Sequence, residues 1–184
     1  MSDAARAHPG ADMEGFVREQ MAFVGLAEAD AEAIRRTAPI VLAHESALTA
    51  ALYEHFLHFP ASARFFLRED GMPDRERIER RRHSLTRWLT EIARVTLGEG
   101  VPYYLLGVAL SHSHRQSRPG GTIPQELMVG AMSLTQSALA QLLEAELPDP
   151  REALHATTAW NKLLLVHLNI LLLGYLLPAD DGQR

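Results

Sequence analysis

The sequence predicts an all-α protein. Apolar residues recur with helical spacing along nearly the whole chain, and prolines and glycines divide it into seven or eight helix-length segments. No stretch alternates apolar and polar residues for long enough to predict a strand. With 184 residues, 47% hydrophobic and 22% charged, the chain is large enough for one domain with a buried core, and a wholly disordered chain is excluded.

Punctuating residues set the expected helix boundaries. Pro39 fits a first helical position, so we expect a helix to begin there, and Pro60 ends that helix. Gly98 and Gly100 end an amphipathic helix, and Pro124 opens another. The predicted helices are 14–26, 27–36, 40–58, 61–67, 75–97, 101–114, 124–146 and 151–177.

The last predicted helix is the most hydrophobic. Its apolar run over 163–177 is shorter than the about 20 residues that a membrane span needs, and His167 and Asn169 interrupt it. A helix that is apolar nearly all round is typical of a protein core or a subunit interface. We therefore predict a central core helix that also contributes to a subunit interface, and no membrane span.

Composition excludes several functional classes. A formal net charge of -5 gives no support for nucleic-acid binding, and the absence of cysteine excludes disulfides, thiolate metal sites and thiol catalysis. The polar residues 1–13 predict a flexible tail without a signal peptide, which favours a cytoplasmic protein. Nine histidines are the unusual feature, but they form no paired motif typical of zinc hydrolases.

Histidines within apolar helices are compatible with either a globin-like fold or a helix bundle, and periodicity alone leaves both open. Four stretches favour the former: Phe23–Leu26 with the acidic helix after it, Ala51–Pro60, Leu110–His114 and Asn161–Tyr175. Together they resemble the globin domain of globin-coupled sensors and the related protoglobins. The resemblance departs after His114, where the segment before Pro124 is longer than the family's short turn.

This resemblance implies a globin-like fold with an additional N-terminal helix. The sensor-type globin domain would span residues 14–178, between a tail at 1–13 and a second tail at 179–184. The implied cofactor is haem b, a flat apolar group that needs one neutral imidazole for its iron and an apolar slot.

The resemblance also implies the roles of the site residues. His114 would be the proximal metal ligand, although His112 lies on a similarly apolar helix face and periodicity does not choose between them. Tyr53 would be the distal hydrogen-bond donor, with Ser84 as a second distal candidate. The other predicted cofactor-binding residues are Phe56, Phe66, Leu85, Trp88, Leu89, Tyr103 and Leu110.

Each role has a structural alternative. Both histidines could cap the end of their helix, where the helix dipole favours a cation. Tyr53 could be a core tyrosine bonded to a backbone carbonyl, and Ser84 a surface serine. The pocket residues would be core residues whether or not haem binds.

The function implied by the resemblance is reversible binding of dioxygen, CO or NO at a five-coordinate iron, in a sensor that is not primarily an enzyme. Because the sequence ends shortly after Leu177, we expect a single-domain sensor acting through a partner protein or a piece of a longer sensor. We also expect a homodimer formed by the last two helices. The alternatives are a haem-dependent NO dioxygenase or peroxidase, and a haem-free interaction module with a globin fold.

Overall fold

The computed structural model describes residues 12–94, 100–114 and 120–177. Within these ranges the only extended pairing is an isolated bridge between Leu67 and Pro73, so the all-α prediction is confirmed. The helices are α1 (Met13–Phe23), α2 (Glu28–Ala43), α3 (Glu45–His58), α4 (Pro60–Ala63), α5 (Arg75–Ile92), α6 (Val101–Ser113), α7 (Gln125–Glu146) and α8 (Pro150–Leu176).

Three of these helices begin at an aspartate whose side chain accepts a backbone N–H of the first turn. Asp12 caps α1, Asp74 caps α5 and Asp149 caps α8, with N···O distances of 2.8, 3.0 and 2.9 Å. Such caps satisfy amides that have no partner within the helix. The sequence predicted the boundaries of α6, α7 and α8 to within a residue or so, because proline or glycine stands at each start.

The prediction of a helix start at Pro39 is wrong. Pro39 lies inside α2, and the break between α2 and α3 falls at His44. Proline removes one intrahelical hydrogen bond, but α2 buries Ile34, Ala38 and Val41 in the same core as α8. This burial outweighs the lost bond and keeps the helix continuous. The short helix predicted over 61–67 is also smaller than expected, since α4 ends at Ala63.

The last helix, α8, is the centre of the fold. It packs against α1, α2, α6 and α7, and twelve of its 27 residues are buried. Trp160 is 1% exposed, and its indole Nε1–H donates to Thr37 Oγ1 on α2 at 2.9 Å. The predicted core helix is therefore present.

By length and composition alone, α8 could also cross a membrane, which the shorter apolar run considered in the sequence did not suggest. Of its most apolar 18-residue window, 61% is buried inside the fold. A buried core helix meets the same two criteria, so length and composition do not distinguish the two cases.

A charged cluster fastens α8 to the connection between α1 and α2. Lys162 Nζ donates to Asp30 Oδ2 and to the carbonyl of Gly25, both at 2.9 Å. Asp30 Oδ2 also accepts the Ala27 N–H at 2.8 Å. Burial raises the pKa of Asp30, but these hydrogen bonds and the charges of Lys162 and His155 outweigh it and leave the pKa below its ordinary value.

The helices α6 and α8 approach each other closely at Gly174. A Cβ added to Gly174 would lie 2.5 Å from the Cβ of Ala109 and 2.8 Å from its carbonyl carbon. Because backbone lies on the far side of this contact, the two helices meet only with glycine at this position. The crossing therefore fixes the distance between α6 and α8.

We expect Gly174→Ala to lower the free energy of unfolding by about 1–3 kcal/mol, because the added methyl group would force the helices apart. Urea unfolding of the purified protein measures this change. The control is Gly130→Ala on α7, where the new Cβ meets nothing within 4 Å and alanine should stabilise the helix by up to about 1 kcal/mol. Equal effects of the two substitutions would contradict the close crossing.

Candidate functional site

An aromatic cluster lies where α3 meets the turn after α4. Tyr53 and Phe56 are one helical turn apart on α3, and Phe66 comes from the segment after α4. The Tyr53 ring packs edge-on against both, with centroids 5.6 Å from Phe56 and 5.4 Å from Phe66. Tyr53 is 8% exposed and the two phenylalanines are half-buried, so the cluster provides an apolar wall that carries one phenolic hydroxyl.

Backbone hydrogen bonds fix the segment that carries Phe66. Ser62 Oγ donates to the Phe56 carbonyl at 2.7 Å, and the Asp74 N–H donates to the Phe66 carbonyl at 2.8 Å. Arg77 Nη1 donates to the Leu67 carbonyl at 3.1 Å, while its Nη2 pairs with Asp74. The sequence analysis did not identify Arg77 as a structural residue, because an arginine-rich helix face is ordinarily solvated.

A hydrogen bond between half-buried Trp88 and buried His167 joins α5 to α8. Trp88 Nε1–H donates to His167 Nδ1 at 3.3 Å, and the two rings meet edge-on with centroids 6.1 Å apart. His167 is 1% exposed, and its Nε2 has no hydrogen-bond partner in the described part of the chain. Burial lowers the pKa of His167 to about 3, so the ring is neutral at physiological pH.

The sequence analysis missed His167 as a site candidate and treated it as an interruption of an apolar run. The sequence signal for its burial is its position among apolar residues on the predicted core helix. Leu89, one residue after Trp88, is 1% exposed and belongs to the same core.

The predicted proximal histidine lies at the end of α6. His114 is half-buried, its Nδ1 lies 2.6 Å from Ser113 Oγ, and its Nε2 lies 3.0 Å from the carbonyl oxygen of Leu177. Ser113 Oγ also lies 2.8 Å from the carbonyl oxygen of Gly174 and 3.0 Å from that of Ala109. The imidazole is thus held between its own helix and the last turn of α8.

His112 is also half-buried, and its carbonyl accepts the Ile123 N–H at 2.9 Å. Tyr175 on α8 donates its hydroxyl to the Ile123 carbonyl, also at 2.9 Å. These bonds tie the segment before α7 to both α6 and α8. Residues 115–119 of the longer segment after His114 lie outside the described ranges.

The remaining predicted site residues differ in exposure. Leu85 and Leu110 are half-buried, and Leu110 packs against the core. Ser84 is exposed, and its hydroxyl donates to the carbonyl of Arg80 one turn earlier, as in the surface-serine alternative. Tyr103 is 48% exposed. The structure therefore joins Tyr53, Phe56 and Phe66 in one cluster, and leaves Ser84 and Tyr103 at the surface.

Among the residues that the structure describes, no three or more His, Asp or Glu side chains come together as metal ligands would. The arrangement instead offers single imidazoles beside apolar and aromatic side chains. A haem needs one such imidazole, because the porphyrin supplies four iron ligands and the protein need supply only one.

The described residues form eight helices, four of which pack against α8, and an imidazole lies at the end of α6. This arrangement is a globin fold with an additional N-terminal helix. The globin domain of a Geobacter sulfurreducens globin-coupled sensor is similar to it, with a TM-score of 0.71 at 19% sequence identity, over 86% of this chain and 96% of that one. The protoglobin family model matches residues 14–180, so the chain belongs to the protoglobin family. No curated protein sequence matches it. The resemblance and the fold predicted from the sequence are confirmed.

Membership of a globin family implies haem, and two observations fit that group. In a metal-ligating histidine, one ring nitrogen binds the metal and the other is usually hydrogen-bonded to a protein group. At His114 the Ser113 hydroxyl is the group that contacts Nδ1. The aromatic cluster around Tyr53 supplies apolar contact surface of the kind a porphyrin needs. In the conformation described, Leu177 occupies the Nε2 side.

The buried neutral His167 should make stability fall with acidity. At pH 5 the unfolded chain carries a proton on this ring and the native chain does not, so the unfolding free energy falls as pH drops from about 6.5 towards 3. This group contributes up to about 1.4 kcal/mol per pH unit. We expect His167→Gln, which retains an acceptor for Trp88 but cannot be protonated, to flatten this dependence in urea unfolding between pH 4.5 and 7.5.

The matched control is His55→Gln, which removes an exposed histidine from α3. It should leave the pH dependence of the unfolding free energy as it is in the parent protein. A parallel loss of slope in both variants would contradict the special position of His167.

Proposed function

We propose that this protein is a haem-b globin that reversibly binds a diatomic gas, namely dioxygen, CO or NO, and acts as a gas sensor. The observation that carries the proposal is the His114 imidazole, which lies at the end of α6 with its Nδ1 2.6 Å from the hydroxyl oxygen of Ser113. A hydrogen bond at Nδ1 is the usual way to orient an imidazole whose Nε2 binds a metal. Membership of the protoglobin family supports the same assignment.

When bound, haem supplies an iron that holds small diatomic ligands reversibly. His114 would bind it through Nε2 as the fifth ligand. Tyr53 would donate its phenolic hydroxyl to the gas in the pocket, where a hydrogen bond to a partly charged partner contributes about 1.5–3 kcal/mol. That range corresponds to roughly a ten- to a hundredfold slower release.

The apolar side chains would exclude water and contact the porphyrin faces. Phe56 and Phe66 stack with an interplanar angle of 7° and would form the wall beside Tyr53, while Trp88 and Leu89 would contribute from α5. We favour Tyr53 over Ser84 as the distal donor. Tyr53 is buried beside Phe56 and Phe66, whereas Ser84 is exposed at the surface.

A sensor needs a partner that responds to its state, and we propose that this protein forms a homodimer through α7 and α8. Apolar side chains remain exposed on these helices, with Val129 at 46%, Leu154 at 69% and Leu165 at 37%. A dimer would remove part of this surface from water.

The net charge of -5 and the lack of cysteine fit a cytoplasmic protein.

One observation favours a second candidate, a haem-free interaction module with a globin fold. The Nε2 atom of His114, which haem would need, is bonded to the Leu177 carbonyl in the conformation described. If this bond persisted in solution, the fold would be preserved and the cofactor excluded. Haem titration separates the two candidates.

We expect the purified protein to bind haem stoichiometrically, with a strong Soret band that shifts when the reduced protein meets oxygen. His114→Ala should abolish stable binding, because it removes the imidazole that ligates the iron. His112→Ala is the matched control and should retain it. The reverse result would transfer the ligand role to His112, and a folded parent protein that takes up no haem would favour the interaction module.

Tyr53→Phe should speed the release of oxygen by roughly a ten- to a hundredfold, because it removes the donor while retaining the ring. Stopped-flow displacement of oxygen by CO measures the release rate. Tyr104→Phe, at a tyrosine that is 43% exposed on α6, is the control and should release oxygen like the parent. An unchanged rate in Tyr53→Phe would remove Tyr53 from gas binding.

Light scattering at micromolar concentration should give twice the mass of the chain. Leu165→Arg should lower this mass towards that of a monomer, because it places a charge in the proposed α7–α8 interface. Met72→Arg alters a side chain that is 57% exposed in the loop before α5, and the dimer should survive it. A monomeric parent protein would rule out the dimer.

A further inference from the structure

The hydrogen bonds at the end of α6 have more acceptors than protons. A neutral His114 ring and the Ser113 hydroxyl carry one proton each. Three carbonyl oxygens lie within reach, those of Leu177, Gly174 and Ala109, and the ring nitrogen without a proton is a fourth acceptor. Two protons cannot satisfy four acceptors, so the two side chains have two alternative hydrogen-bond patterns.

In the first pattern the ring proton is on Nε2 and donates to the Leu177 carbonyl, which can only accept. Nδ1 then carries a lone pair, and the Ser113 hydroxyl donates to it across 2.6 Å. This pattern satisfies the 3.0 Å contact between Nε2 and Leu177, but it takes the proton of Ser113 away from Gly174.

In the second pattern the ring proton is on Nδ1 and donates to Ser113 Oγ. The Ser113 hydroxyl then donates to the Gly174 carbonyl at 2.8 Å, and Nε2 has a free lone pair. A lone pair facing the Leu177 carbonyl at 3.0 Å is repulsive, so this carbonyl must move away. Both patterns contain one ring proton and one hydroxyl proton, so the exchange moves a proton from Nε2 to Nδ1 and takes up none from solution.

We infer that the last turn of α8 is a latch on the proximal imidazole, and that ligation of haem by His114 releases it. Ligation requires the second pattern, because only that pattern leaves the Nε2 lone pair free. The imidazole would therefore exchange its contact with Leu177 for an indirect contact with Gly174, through Ser113. This inference rests on the proposed haem binding and adds a coupling between the haem site and the carboxyl end of α8.

The geometry of α8 allows one end of this exchange to move while the other stays fixed. Gly174 lies so close to Ala109 that a Cβ would not fit between them, so its carbonyl remains beside Ser113 in both patterns. Leu177 lies three residues further, at the end of the helix, with extended backbone angles of φ -75° and ψ 135°. Its N–H donates to the Leu173 carbonyl at 3.1 Å, and this bond is in the last turn that release would loosen.

Two measurements on the full chain test the latch. Nitrogen NMR of histidine-labelled, haem-free protein should show His114 with its proton on Nε2. Amide hydrogen exchange, compared between the haem-free protein and the haem-loaded ferrous CO form, should become at least about threefold faster at Leu177 after loading. Amides near Gly174 should stay protected in both forms.

Variants separate the two patterns. Ser113→Ala removes the acceptor of the Nδ1 proton and should weaken haem binding about tenfold or more, whereas Ser113→Thr retains the hydroxyl and should bind like the parent. Leu177→Pro keeps the observed φ but removes the N–H to Leu173 and disfavours a helical Leu176. By displacing the carbonyl it should strengthen haem binding about two- to tenfold, while Leu176→Ala, at an exposed side chain, should leave it unchanged.

The outcomes distinguish the latch from haem binding itself. A haem-free protein with the His114 proton on Nδ1 would overturn the latch whether or not haem binds. Normal haem uptake with unchanged exchange at Leu177 would overturn the latch and leave the proposed function standing. A folded protein that binds no haem would overturn both.

Discussion

The fold depends on the burial of α8 against four other helices. Four helices, α1, α2, α6 and α7, all pack on α8. The side chains at each contact along α8 therefore set the positions of these helices relative to one another. Near its middle, α8 presents the Lys162 ammonium to Asp30, and near its end it presents Gly174 to the backbone of α6. The second contact needs a residue without a side chain, since a methyl group would collide with Ala109.

The two halves of the candidate site have different physical origins. The aromatic cluster around Tyr53 is nearly local, since its three rings come from α3 and the turn that Pro60 imposes after it. The surroundings of His114 depend on residues distant in sequence, because its ring faces the end of α8 as well as its neighbour Ser113.

The core stabilises two buried ionisable groups, Asp30 and His167, in different charge states. Asp30 keeps its charge, because a backbone N–H and a lysine compensate for the water it has lost. His167 has one weak donor, Trp88 Nε1–H, and its burial lowers the pKa of the ring, so it stays neutral. The first arrangement stabilises the fold at neutral pH, and the second makes the fold sensitive to acid. Both lie on α8 or face it.

The sequence alone determined the helical class, most helix boundaries and the family, because periodicity, proline and glycine act locally and because the four resembling stretches occur in order. It also placed Tyr53, Phe56 and Phe66 close enough along the chain to meet. It could not determine that α2 continues through Pro39, since this follows from burial against α8. Nor could it show that His167 is buried beside Trp88, or that Leu177 faces His114, because these partners lie 79 and 63 residues apart. Only the tertiary structure decides contacts of that range, since side chains far apart in sequence meet only where helix packing brings them together.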